Sequence, residues 1–190
     1  MFAVKIMAQP ISEGIYSSGD IAAVGTFAPD FVLDTEDGGN WRLSDHDGKV
    51  RVLLFYPQNE TLVCTKQLCS VRDNWQDYLE TKAEIVGISP STPEQNIEFS
   101  QSRSLPIPLL ADPGRDVTSL YGKHWLFPIQ LTRAIVVIDA MGMIRSRRVM
   151  LRAFRPSDAD VITSIYEARG DVLQAKYQSL TSRFRRIKSN

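Results

Sequence analysis

Short apolar runs bounded by turn residues alternate with segments of helical periodicity along the centre of the chain. The runs rich in apolar and β-branched residues predict buried strands at 31–34, 50–56, 84–89, 109–112, 134–139 and 144–150. The last two runs bracket Met141-Gly142, which predicts a β-hairpin. Helices are predicted at about 62–81, from 91 onward, and at 115–121, where a glycine follows. This alternation predicts an α/β domain with a central mixed sheet flanked by helices.

The C-terminal segment predicts one long helix from about Ser157 to Lys188. Its apolar residues recur at steps near three and four, with a gap at Arg169-Gly170. They are Ile162, Tyr166, Leu173, Tyr177, Leu180, Phe184 and Ile187. This stripe covers the domain's own sheet or, in its second half, contacts a second copy or another partner. The chain therefore divides into an N-terminal arm at 1–24, a domain at 25–155 and a helical extension at 156–190.

Composition and charge narrow the function classes. The 190 residues carry 22 basic and 22 acidic side chains, so the zero net charge argues against general nucleic-acid binding. No apolar run is as long as a membrane span, and the first residues make a poor signal peptide. Two cysteines exclude a disulfide scaffold, so a cytoplasmic location is expected. His46 and His124 have no metal-ligand spacing and no glycine-rich phosphate loop is present, so neither a metal nor a cofactor is expected.

Cys64 occupies a position that suits a reactive thiol. It follows the predicted strand at 50–56 and a short loop, at the point where a helix begins. The N-terminus of a helix stabilises a thiolate, because its unpaired N–H groups and its dipole are positive there. Thr61 is a candidate N-cap whose hydroxyl would lie on the same side as the thiol. The alternative is that Cys64 is a small buried hydrophobic residue, and position alone leaves both interpretations open.

Cys69 follows five residues later on the same predicted helix. On an ideal helix the two Cα atoms are about 8.6 Å apart, beyond the ~7 Å limit for a disulfide. A bond between them would therefore require the first turns to unwind. Cys64 shares an apolar stripe with Leu68, Val71, Trp75 and Tyr78, and Cys69 lies off that stripe on a more polar flank. Cys69 is either a partner of Cys64 or a bystander.

The run at 55–73, FYPQNETLVCTKQLCSVRD, resembles the active-site segment of peroxiredoxins, specifically the bacterioferritin-comigratory-protein or Q-type branch. Pro57, Thr61 and Cys64 match the P-x-x-x-T-x-x-C motif of that family, and Cys69 matches its resolving cysteine. The resemblance extends over roughly residues 25–155 and includes Arg133 before the strand at 134–139. The chain departs from the family at Leu62-Val63, where Pro-Gly is usual.

This resemblance implies a thioredoxin-like fold and a thiol peroxidase acting on hydrogen peroxide and organic hydroperoxides. Cys64 would be the peroxidatic nucleophile, Arg133 would supply a fixed positive charge, and Thr61 would hydrogen-bond the peroxide. Pro57 would cover the sulfur and exclude water. Cys69 would then form an intramolecular disulfide with Cys64, which a thioredoxin-like dithiol would reduce. The resemblance is compatible with a monomer or a homodimer.

Two alternatives remain open from the sequence. In a one-cysteine peroxidase, Cys69 would be idle and an external thiol would resolve the oxidised Cys64. In a redox sensor or interaction protein, the predicted C-terminal helix would engage a partner. The apolar stripe of that helix and the departure at Leu62-Val63 motivate this second alternative.

Overall fold

The computed structural model describes residues 22–59 and 62–171, which are organised around one seven-stranded sheet. The strands are β1 Val32–Thr35, β2 Asn40–Arg42, β3 Arg51–Phe55, β4 Glu84–Ser89, β5 Leu109–Ala111, β6 Thr132–Ile138 and β7 Ile144–Leu151. Their order is β2-β1-β5-β4-β3-β6-β7. Strands β3, β4 and β5 are parallel to their neighbours in that set, and the outer pairings are antiparallel. The predicted mixed sheet is therefore confirmed.

Within the described ranges, four α-helices and two short 3-10 helices lie between the strands, and a fifth α-helix follows the last strand. The α-helices are α1 Leu62–Asp73, α2 Trp75–Glu80, α3 Pro93–Arg103, α4 Asp116–Tyr121 and α5 Asp158–Arg169, and the 3-10 helices are Leu43–His46 and Ile129–Leu131. None of these helices has the length and apolar character needed to cross a membrane.

The sheet separates two apolar cores, and β3 contributes to both because successive strand residues point to opposite faces. Val52 and Leu54 join a cluster that contains the buried side chains of α1, α3 and α5. Leu53 and Phe55 join a second cluster that contains the inward side chains of α4. Both faces of the central strands are thus covered, which explains why β3 has five buried residues in succession.

The predicted elements differ from the observed ones at two internal points. Strand β2 was not predicted, because it has three residues and only Trp41 is buried. The predicted helix at 62–81 divides at Asn74 into α1 and α2. The Nδ2 of Asn74 donates to the Ser70 carbonyl at 2.8 Å, so a side chain competes for the backbone acceptor at that point.

The long helix predicted from about Ser157 to Lys188 is broken at the gap in its apolar stripe, Arg169-Gly170. Helix α5 ends at Arg169, and Gly170 follows in the left-handed conformation with φ of 78°. Ile162 and Tyr166 are buried in the core with α1 and α3, so this part of the stripe covers the domain's own sheet. The remainder of the stripe, from Leu173 onward, lies outside the described residues, as does the arm at 1–21.

Candidate active site

Cys64 lies where the central strand gives way to the first helix. After β3 the chain continues through the buried Tyr56 and Pro57, and Cys64 is the third residue of α1. Its side chain is 1% exposed and packs in the same core cluster as Tyr56 and Leu68. The predicted burial of Cys64 at a helix start is confirmed.

Arg133 meets Cys64 although 69 residues separate them in sequence. Strands β3 and β6 are antiparallel neighbours, and Phe55 pairs with Ala134. Arg133 therefore lies beside the end of β3, where the chain turns toward α1. Its Nη2 donates a hydrogen bond to the Cys64 Sγ at 3.1 Å. The strand pairing thus brings together two of the residues that the family resemblance assigns to the site.

The Arg133 guanidinium is 1% exposed and has spare donors. Its Nε and Nη1 are buried and have no hydrogen-bond partner among the described residues. Burial lowers the pKa of Arg133, and attraction to the Cys64 sulfur opposes that shift. Arginine nevertheless keeps its charge in proteins. A buried cation with unpaired donors beside a sulfur can bind oxygen atoms that carry lone pairs or developing negative charge.

Tyr56 is a further side chain at the site that sequence reasoning missed as a candidate. It is buried between Phe55 and Pro57, and it interacts electrostatically with both Cys64 and Arg133. Burial raises the pKa of the Tyr56 hydroxyl well above its ordinary value, so this group is neutral near pH 7. The only indication in the sequence was that Tyr56, which carries a hydroxyl group, is the last residue of the apolar run at 50–56.

Of the two remaining candidates in this loop, the structure describes one. Pro57 is buried, and its carbonyl oxygen lies 3.5 Å from the Arg115 Nη2. Its burial two residues after the end of β3 is compatible with the predicted role of covering the sulfur. Thr61 lies outside the described residues, so its predicted roles stay predictions.

Cys69 lies on the same helix as Cys64 but in different surroundings. It is half-buried, and Arg72 interacts with it electrostatically from one turn further along the helix. The Nη1 of Arg72 also donates to the Arg103 carbonyl at 2.6 Å. Cys64 and Cys69 are not joined by a disulfide in this structure. The predicted contrast between a buried Cys64 and a more polar flank for Cys69 is confirmed.

The two histidines are engaged in stacking. The ring of His46 stacks on Trp41 at 4.5 Å between centroids, and His124 stacks on Phe127 at 4.5 Å. Within 22–59 and 62–171, no group of three or more histidine, cysteine, aspartate or glutamate side chains could hold a metal ion.

Comparisons with known proteins agree with this geometry. Residues 24–147 match the AhpC/TSA family. A protein of Mycobacterium tuberculosis named as a peroxiredoxin is 41% identical over 100 residues, which cover 53% of this chain and 64% of the relative. The chloroplastic peroxiredoxin Q of Suaeda salsa is 35% identical over 146 residues, which cover 73% of this chain and 66% of the relative.

A solved structure extends the agreement to the fold. The crystal structure of the peroxidoxin BcpB from Mycobacterium tuberculosis superposes with a TM-score of 0.64 and 29% sequence identity, covering 77% of this chain and 96% of that one. This chain therefore covers nearly all of the BcpB structure. It covers slightly under two thirds of the length of each of the two sequence relatives. The superposition confirms the predicted thioredoxin-like α/β fold. The chain belongs to the AhpC/TSA family, and its relatives confirm the resemblance to Q-type peroxiredoxins.

Proposed function

We propose that the chain is a thiol-dependent peroxidase that reduces hydrogen peroxide and organic hydroperoxides at Cys64. The observation that carries this proposal is the 3.1 Å contact between the Arg133 guanidinium and the Cys64 sulfur, both of which are buried. The positive charge of Arg133 favours the thiolate form of Cys64, and the thiolate is the nucleophilic form of a cysteine. The family of the chain supports the same chemistry.

In the first step the Cys64 thiolate attacks one peroxide oxygen. A sulfur–oxygen bond forms and the oxygen–oxygen bond breaks, so the peroxide is reduced and Cys64 becomes a sulfenic acid. The departing oxygen takes a proton and leaves as water or an alcohol. The unpaired Nε and Nη1 of Arg133 are suited to stabilise the negative charge that develops on the oxygens.

In the second step the Cys69 thiolate attacks the sulfur of the sulfenic acid. A disulfide forms, the sulfur–oxygen bond breaks, and the oxygen leaves as hydroxide, which takes up a proton from solvent and becomes water. Because Cys64 and Cys69 are five residues apart on α1, the first turns of that helix must unwind for this step. A thioredoxin-like dithiol then reduces the disulfide by exchange, as a reducing compartment such as the cytoplasm allows.

The test compares two single substitutions in the full chain. Cys64→Ser is expected to abolish peroxide consumption, whereas Cys69→Ser is expected to consume one peroxide per chain and then stop when no other thiol is present. Peptide mapping after peroxide treatment of the unmodified chain should find the Cys64–Cys69 disulfide.

Two results would change the proposal. Peroxide consumption that survives in Cys64→Ser would contradict it. Full turnover of Cys69→Ser with a small thiol, together with no Cys64–Cys69 disulfide in the unmodified chain, would indicate a one-cysteine peroxidase instead.

A further inference from the structure

In the loop that leads to Cys64, the side chain of Asn59 forms hydrogen bonds with helix α3. The Nδ2 of Asn59 donates to the Asn96 Oδ1 at 3.0 Å and to the Gln95 carbonyl at 3.2 Å. Asn59 stands three residues before α1, and both acceptors lie in the first turns of α3. We call these two contacts of Asn59, with the Asn96 side chain and with the Gln95 carbonyl, the asparagine latch.

The α3 side of the latch is firmly held. Asn96 is fully buried, and its Oδ1 also accepts a hydrogen bond from the Ser89 Oγ at the end of β4 at 3.2 Å. The start of α3 is fixed by a capping box, in which Thr92 and Gln95 bond each other's backbone N–H groups. The latch therefore attaches a loop to a rigid corner between a central strand and a capped helix.

The other end of the region that must rearrange is fixed by packing. Leu68 and Val71 of α1 are each 1% exposed and belong to the core between the sheet and the helices. The disulfide between Cys64 and Cys69 requires the first turns of α1 to unwind. The latch at Asn59 and the core packing of Leu68 therefore hold the chain on either side of Cys64.

We propose that the asparagine latch holds the Cys64 loop in the arrangement that reacts with peroxide, and that its release sets the rate at which Cys69 reaches Cys64. Asn59 and Asn96 are thus positioning residues for the resolving step. This inference rests on the proposed function, because it concerns the second step of that reaction.

The latch is built so that it can open. The Oδ1 of Asn59 and the Nδ2 of Asn96 are buried without a hydrogen-bond partner in the described part of the chain. Unpaired buried polar atoms cost free energy, and release of the loop lets water reach them. A partly satisfied contact of this kind therefore opens more readily than a network in which every donor and acceptor is paired.

The first test measures the two chemical steps separately in Asn59→Ala. Reduced protein is mixed with hydrogen peroxide, quenched rapidly, and analysed by mass spectrometry for sulfenic acid and disulfide. Disulfide formation is expected to accelerate by at least about threefold to tenfold, since the two hydrogen bonds of the Asn59 amide are lost. The reaction of Cys64 with peroxide should change less than twofold. Gln58→Ala is the matched control, since Gln58 is its exposed neighbour in the same loop.

The second test is a double-mutant cycle with Asn96→Ala. Because both single changes break the same contact, the double variant should accelerate disulfide formation no more than Asn59→Ala alone. If Asn59→Ala leaves the disulfide rate unchanged or slows it, or if the two effects add fully, the latch is not the controlling contact.

Amide hydrogen exchange separates failure of this inference from failure of the proposed function. In the reduced protein, Asn59→Ala should speed exchange in the first turns of α1 by a similar factor while leaving β3 unchanged. This measurement needs no peroxide. A chain without peroxidase activity would refute the proposed function, whereas unchanged exchange in α1 would refute the latch.

Discussion

Two buried arginines lie at opposite ends of the same pair of strands. Arg51 begins β3 and pairs with Ile138 at the end of β6, whereas Arg133 lies near the start of β6, beside the end of β3. Each side chain is 1% exposed. Burial therefore does not distinguish them, although a buried guanidinium is costly unless it is well paired.

Their partners do distinguish them. Arg51 donates to the Leu43 carbonyl at 3.3 Å, to the Asp139 carbonyl at 2.6 Å and to the Asp47 carboxylate. Arg133 donates to the Cys64 sulfur, and two of its three nitrogens have no partner in the described residues. Arg51 thus ties together a turn, a strand and a hairpin, while Arg133 keeps donors for something that is not part of the fold. The hydrogen-bond partners of each guanidinium, and not its degree of burial, therefore distinguish a structural arginine from a functional one.

The largest expected effect comes from Arg133→Met, which keeps the volume and removes the charge and donors. The rate constant for reaction of Cys64 with hydrogen peroxide should fall by about 10²- to 10³-fold, the usual cost of losing a donor that stabilises developing charge. Stopped-flow mixing of the reduced protein measures this rate. The free energy of unfolding should stay the same or rise, because an incompletely paired buried cation is removed.

Arg133→Lys is the control for charge alone. A lysine keeps the positive charge but lacks the planar set of donors, so its rate should lie between those of the native chain and Arg133→Met. A rate for Arg133→Met within a factor of three of the native value would show that the unpaired donors have no part in the reaction.

Arg51→Met should have the opposite pattern. The free energy of unfolding should fall by about 2–3 kcal/mol, because two buried carbonyls and a carboxylate lose a charged donor. The rate of reaction with peroxide, corrected for the folded fraction, should change less than twofold. Urea unfolding and stopped-flow kinetics on the same preparation measure both quantities. A corrected rate that falls by much more than twofold, with the free energy of unfolding unchanged, would contradict the division of roles between the two arginines.

The sequence alone could not have drawn this division. Arg51 precedes the run VLLFY and Arg133 precedes the run AIVVI, so both look like a charge at the start of a buried strand. Resemblance to a family selected Arg133, and local pattern did not. The pairing of Phe55 with Ala134 is a non-local property, and it places Arg133 at Cys64 and Arg51 at the far end.

Features that depend on neighbouring residues, such as turns and helix starts, were predicted correctly from the sequence. The hairpin at Met141-Gly142 and the early proline of α3 were readable because turn and cap residues act within a few positions. Gly170 was visible as a gap in the apolar stripe, but the regular spacing on both sides outweighed it in the prediction. The contact between Asn59 and Asn96 had no sequence signal, because it joins two amides 37 residues apart.

The smallest expected effect lies at the Arg51 end and depends on pH. Burial raises the pKa of Asp139, but hydrogen bonds from the Met143 N–H, the Arg145 guanidinium and the Met141 N–H outweigh it, and the net pKa lies below the ordinary value of 3.8. The Asp139 side chain is only 6% exposed, and the Arg145 Nε lies 2.5 Å from its Oδ2.

A carboxyl whose pKa is lowered in the folded state stabilises the fold above its unfolded pKa and loses that contribution as pH falls through the folded pKa. Asp139→Asn should therefore reduce the free energy of unfolding by about 1–2 kcal/mol at pH 7, the scale of hydrogen bonds to a charged group. The difference between the two chains should begin to shrink below about pH 4, where the unfolded Asp139 carboxyl takes up a proton, and should continue to shrink as pH falls toward the lower pKa of the folded state. Urea unfolding of both chains at several pH values from about pH 3 to about pH 7 measures this difference. A difference that stays constant across this range would mean that the hairpin at the Arg51 end is held by shape and neutral hydrogen bonds, and that the charge of Asp139 contributes nothing to it.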